Sequence, residues 1–149
     1  MTILPNKNVW EEADEYEHVS RLCLEQKLYW PSIVNAALAV EIYLKSFISK
    51  DCFTPAFGGP VNHVFAEKVN GHSLLDLYSK IHPSMIEKIN LLNQSKFDIP
   101  KILEKYNFAF TRYRYSYEAE SPVIADDTLS RFATHLKYIT HTAYKENFS

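Results

Sequence analysis

From Pro31 to Lys50 the chain reads PSIVNAALAVEIYLKSFISK, and its apolar residues (Ile33, Val34, Ala36, Ala37, Leu38, Ala39, Val40, Ile42, Leu44, Phe47 and Ile48) fall on nearly every side of a helix. A helix that is apolar all round must be enclosed by other elements, so this segment predicts the central helix of a bundle. Elsewhere apolar residues also recur at helical rather than strand spacing, and only three glycines, Gly58, Gly59 and Gly71, punctuate the chain. The pattern predicts an all-α, up-down helical bundle of about five to six helices. With 149 residues the chain is long enough for one substantial core, and residues 1–149 read as a single domain.

The breaks can be placed from local chemistry. A first helix is expected from about Asn8 to Tyr29, its acidic run Glu11, Glu12, Asp14, Glu15 and Glu17 lying toward the positive end of the helix dipole. Trp30-Pro31 should interrupt it, because proline disfavours helix in the preceding residue and starts a new helix well. Residues 51–71 are irregular, with Pro55, Gly58, Gly59 and Pro60, and a short hairpin or a lid both fit there. A third helix is expected from His72 or Ser73 to Ile81, a fourth from Pro83 to about Gln94, and a fifth from near Ile99 through Phe110. Ser121-Pro122 ends that region. Asp126 or Asp127 caps a last helix running to about Asn147.

Several kinds of chemistry lack their residues. The two cysteines, Cys23 and Cys52, have neither metal spacing nor a disulfide framework, and the six histidines form no ligand cluster. No metal and no cofactor is therefore expected. There is no Gly-x-Ser-x-Gly elbow and no phosphate loop; Gly59-Pro60 reads as a turn. The formal charge of -2 gives no overall attraction to polyanions, so a nucleic-acid site would have to be a local patch. The segment from Ile33 to Ile48 is too short and too interrupted to span a bilayer, and the opening residues lack a signal pattern. The expectation is a soluble, cytoplasmic protein.

A local patch does exist. From Phe108 to Glu118 the sequence FAFTRYRYSYE alternates aromatic rings with the guanidiniums of Arg112 and Arg114. Arginine pairs bidentately with phosphate and stacks on flat rings, and tyrosine offers a stacking face with a polar tip. Together they are the elements of a nucleotide or single-stranded RNA contact. The plainer reading packs the rings into the core and pairs the arginines with Glu118 and Glu120. Within the apolar helix Glu41 and Lys45 stand one turn apart, either as an ion pair at its edge or as the lining of a polar cleft. On the last helix Arg131, His135, Tyr138, Thr142 and Lys145 fall on one polar stripe, read as a solvated face. Arg131 and His135 there are also candidates for acid–base cleavage of RNA.

Three segments, in order, resemble the HEPN superfamily (higher eukaryotes and prokaryotes nucleotide-binding). Asn35 to Lys45 (NAALAVEIYLK) is similar to its central A-x-x-x-E-x-x-L-K helix. Gly71 to Tyr78 (GHSLLDLY) is similar to its G-H-x-L-x-x-L helix start, and Tyr113 to Glu118 (YRYSYE) to its Arg-Tyr segment. The resemblance implies a HEPN-like bundle, usually a homodimer, that binds nucleotide or RNA, in some members beside a nucleotidyltransferase-type partner in a toxin–antitoxin pair. It places Arg112, Arg114 and Tyr115 on the ligand, with Lys45 adding charge, Glu41 and Glu118 orienting the basic groups, and His72 near the same cleft. Its ribonucleases carry an arginine followed, after four to six residues, by a histidine. Here the nearest approach is Arg131 to His135 with three residues between. That departure points to binding without catalysis. An active endoribonuclease using Arg131 and His135, or Arg114 and His72, is one alternative, and a structural helical protein-interaction module is another.

Overall fold

The computed structural model describes residues 4–55, 62–118 and 125–146. Within them the chain is a helical bundle of seven α-helices with a two-stranded hairpin. The elements are α1 (Lys7–Glu25), α2 (Tyr29–Ser46), β1 (Asp51–Pro55), β2 (Asn62–Ala66), α3 (Leu74–Ser79), α4 (Pro83–Asn93), α5 (Ile99–Lys105), α6 (Ala109–Arg114), a 3₁₀ turn (Ser116–Glu118) and α7 (Thr128–Lys145).

Side-chain pairings fix the directions of the long helices. Asn6 donates its backbone N–H to Ser46 O, Tyr43 Oη donates to Asp14, and Ser20 meets Ser32, so α1 and α2 run antiparallel. Ser20 also meets Ser130, Glu17 meets Thr134 and Asp14 meets His141, so α7 runs antiparallel to α1 and packs against both α1 and α2. Asn93 with His135 and Lys88 with Glu146 set α4 antiparallel to α7. The core gathers where α1, α2 and α7 meet, around Val40, Tyr43, Leu44, Leu129, Phe132, Leu136 and Ile139, all at most 1% exposed. Helices α3, α5 and α6 close the far side of α2 through Leu77, Leu103 and Tyr113.

Three small residues let the long helices approach. Ser20 Oγ donates to Ser32 O at 2.8 Å and Ser32 Oγ donates back to Ser20 O at 2.8 Å. With its proton used, Ser20 Oγ accepts from Ser130 Oγ at 2.9 Å. These hydroxyls satisfy one another where a larger side chain would hold the helices apart.

The boundaries differ from expectation where backbone turns intervene. Helix α1 ends at Glu25 rather than Tyr29, because Lys27 takes a left-handed φ of 60° and starts the turn before the proline is reached. Pro31 then sits inside the first turn of α2, where its missing N–H costs nothing. Asn6 caps α1 by accepting from Asn8 N–H, so its first turn holds no acid and Glu11 lies a turn further on, 3.4 Å from Lys7. The expected fifth helix is broken at Tyr106–Phe108 into α5 and α6. Asp127 is the N-cap of α7, but it is Asp126 Oδ1 that accepts from Thr128 N–H at 3.1 Å. The irregular segment contains an antiparallel hairpin, in register from Asp51 opposite Ala66 to Pro55 opposite Asn62. Ser49 Oγ donating to Glu67 O, and Glu67 N–H donating to Lys50 O, close its base. The turn assigned to Gly59-Pro60, the break at Ser121-Pro122, Glu120 and the helix end at Asn147 lie outside the described residues.

Candidate nucleotide-binding site

Helix α6 presents the Arg/Tyr segment. Tyr113 points inward, 9% exposed, with its ring 6.4 Å from Tyr106 and 6.1 Å from Trp30 at the start of α2. That inward tyrosine fixes the rotation of α6 and turns its neighbours Arg112 and Arg114 outward. The Arg114 guanidinium lies over two rings, 5.0 Å from Phe110 and 4.5 Å from Tyr115, and donates to Tyr115 Oη. Its charge is thus stacked rather than neutralised. Of the plainer reading of the segment, Tyr113 does pack into the core and neither Arg112 nor Arg114 forms an ion pair with Glu118, while Glu120 lies outside the described residues. Glu118 is exposed on the 3₁₀ turn.

Beside Arg114 a cleft of about 630 Å³ opens between the first turns of α2 and the end of α6. Trp30, Val34, Tyr113, Arg114 and Tyr117 line it, and among the described residues no carboxylate does. Trp30 is 40% exposed and Tyr117 79% exposed, so both rings offer a free face.

Glu41, Lys45 and His72 form a second group. Glu41 is buried on α2, and its two oxygens take different partners: His72 Nδ1 at 3.0 Å on Oε1 and Lys45 Nζ at 3.3 Å on Oε2. The carboxylate therefore positions both basic groups, while the His72 ring stays exposed. Val34, in the wall of the Arg114 cleft, and Glu41 are seven residues apart and share a face of α2. At 1.5 Å per residue that separates the two groups by about 10 Å along the helix. They are neighbours on one surface rather than members of one cleft.

Arg131 and His135 lie elsewhere. They line a cleft of about 650 Å³ between α1, α7 and the turn after α4, together with Arg21, Lys96, Phe97 and Tyr138. The two clefts share no residue. His135 is not on a solvated stripe as expected: it is 9% exposed, because α4 and the following turn cover that flank of α7. Asn93 fixes its state. The Asn93 amide is oriented by Phe97, donating from Nδ2 to Phe97 O at 2.7 Å and accepting Phe97 N–H on Oδ1. Oδ1 then accepts from His135 Nε2 at 3.0 Å, so Nε2 carries the proton and Nδ1 the lone pair. Burial, followed by the nearby Lys96 charge, pushes the imidazole below its ordinary value of 6.5 and outweighs the contrary effect of Asn93.

One buried charge escaped the sequence reading. Glu17, the last of the acidic run expected toward the positive end of the first helix, is 0% exposed between α1 and α7. Oε1 accepts from Arg21 Nε at 2.6 Å and from Thr134 Oγ1 at 2.8 Å, and Lys137 Nζ stands 3.5 Å from Oε2. Burial pushes its pKa up; the hydrogen bonds from Arg21 and Thr134 and the charges of Arg21 and Lys137 together outweigh that, leaving it below the ordinary 4.5. Arg21, four residues on, was the only signal in the sequence.

No group of His, Cys, Asp and Glu that could hold a metal ion occurs among the described residues, nor does a helix long and apolar enough to cross a membrane. Comparison with known protein families, curated proteins and solved structures gives no match.

Proposed function

We propose that the chain is a HEPN-like domain that binds nucleotide or single-stranded RNA at the Arg114 cleft without cleaving it. The observation that carries this reading is Arg114 itself, exposed, without a carboxylate partner among the described residues, and laid across Phe110 and Tyr115 at the mouth of a cleft with free ring faces at Trp30 and Tyr117. A base stacks on Trp30 or Tyr117, and the outer edge of the guanidinium holds the phosphate. Arg112, exposed two residues earlier, adds a second charge, and Tyr115 keeps the Arg114 side chain extended. Lys45, about 16 Å along the same face of α2 from Val34, meets a further phosphate of a ligand longer than one nucleotide. Glu41 holds Lys45 and His72 in place, and Glu118 is exposed on the 3₁₀ turn that follows α6.

Among the described residues no histidine or carboxylate lines this cleft to serve as the acid–base pair of cleavage. The alternative of an active endoribonuclease rests on Arg131 and His135, which share the other cleft, where His135 keeps a free lone pair on Nδ1. A homodimer, or a nucleotidyltransferase-type partner, remains part of the HEPN-like proposal. A purely structural interaction module would use the same exposed rings as a protein contact.

Trp30 provides the test, because a base stacked on its ring quenches its fluorescence. Titration with oligouridylate should quench the emission saturably, and Tyr117→Ala should weaken the affinity about tenfold, the value of one stacked base. An emission unchanged by oligouridylate at saturating concentration would remove this reading.

A further inference from the structure

The second cleft, between α1, α7 and the turn after α4, has a chemistry of its own. Among the described residues its charged lining side chains are all cationic, Arg21, Lys96 and Arg131, and no carboxylate faces it. Among the described residues Lys96 has no ion-pair partner; its ammonium stands 6.0 Å from the Phe97 ring centroid. Arg131 is held at 3.5 Å by Asp127 through Nε alone, which leaves both terminal nitrogens of the fork for a ligand. The wall between these cations is flat and aromatic. His135 stacks on Tyr138 with 24° between their planes, and its other neighbour is Phe97, with centroids 5.3 Å apart. Tyr138 is 51% exposed, so its outer edge remains open.

His135 adds one directional contact. Its Nε2–H is committed to Asn93, and Nδ1 has no hydrogen-bond partner among the described residues. The fully buried, unpartnered side-chain atoms among the described residues are Trp10 Nε1 and Glu17 Oε2, so His135 Nδ1 keeps access to solvent. A neutral imidazole in that state accepts a hydrogen bond from a ligand N–H.

We infer that this cleft is a second ligand site, for a small molecule that joins a flat aromatic ring bearing an N–H donor to one phosphate or carboxylate. The ring lies along Tyr138 and Phe97, the donor meets His135 Nδ1, and the anion sits between Lys96 and Arg131. The volume of about 650 Å³ suits a ligand of mononucleotide size. The inference goes beyond the Arg114 cleft and does not depend on it.

The test uses the Arg114→Ala protein, so that the first cleft does not contribute. Adenosine 5′-monophosphate, adenosine and indole-3-acetate are titrated separately while the His135 ring resonances are followed by NMR. A saturable shift is expected with the phosphate probe, the carboxylate probe or both, and which of them binds identifies the anion. Adenosine should bind at least about tenfold more weakly than its monophosphate, the difference made by one charge-assisted contact. Lys96→Ala with Arg131→Ala should weaken the anionic probe by at least about tenfold, and because both side chains are at the surface its melting temperature should match that of the parent. No saturable His135 shift with either anion would overturn the inference. So would a double variant that binds as tightly as its parent.

Discussion

Replacing Glu17 with glutamine keeps the side chain's size but removes the charge on which Arg21, Thr134 and Lys137 converge. Glu17→Gln should lower stability by about 1–3 kcal/mol, the range for a buried group whose charge-assisted hydrogen bond is weakened, read by urea denaturation at neutral pH. The pH dependence has a definite sign. The folded carboxyl titrates below its ordinary 4.5, so over that interval the unfolded chain binds the proton and the folded chain does not. The contribution of Glu17 is complete above pH 4.5 and is lost as the pH falls through the folded value, so Glu17→Gln should narrow its deficit to the parent in acid. Equal deficits at pH 7 and pH 3 would contradict this account. The burial of Glu17 could not be read from the sequence, because it depends on where α7 lands, more than a hundred residues away. Glu41 was legible for the opposite reason: a charge on an all-apolar helix needs a local partner, and Lys45 is one turn away.

At the scale of elements, the left-handed Lys27 sets the turn between the two longest-paired helices, α1 and α2. A side chain at that φ costs about 1 kcal/mol that glycine does not. Lys27→Gly should therefore raise the urea midpoint, and a lowered midpoint would show that the Lys27 side chain contributes more than its strain costs. Helix existence was legible throughout, because the period of the apolar residues in 33–48 and 129–143 leaves no alternative. Boundaries were less so. The Trp30-Pro31 break was assigned to the proline, yet the chain turns at Gln26–Leu28, where no residue carries a turn signature. The break at Tyr106–Phe108 was marked by Asn107 alone, with no glycine or proline beside it, and it matters most for the site. By restarting the helix at Ala109 it sends Tyr113 inward and Arg114 outward, which the alternation of rings and guanidiniums did not reveal. The hairpin of β1 and β2 was open between two readings because neither DCFTP nor NHVFA alternates apolar and polar residues clearly.

Across the whole molecule, the core and the clefts are separated: α1, α2 and α7 carry the packing, while both clefts lie where shorter elements meet these helices. Leu136→Ala, at 1% exposure in that core, should cost about 2–5 kcal/mol and lower the melting temperature by many degrees, whereas Arg114→Ala should leave it nearly unchanged. Because the chain has a formal charge of -2, affinity for RNA must come from the few local cations rather than from overall attraction. The salt dependence should accordingly be shallow, with log K falling by about 0.7 per unit of log salt for each phosphate contacted. The most direct test is the anisotropy of a labelled single-stranded RNA titrated with the parent protein and with Arg114→Ala, the same samples then being run on a denaturing gel. The parent should bind and return the RNA intact, and Arg114→Ala should bind at least about tenfold more weakly with an unchanged melting temperature. RNA shortened by the parent, or bound equally well by both proteins, would contradict binding without cleavage at the Arg114 cleft.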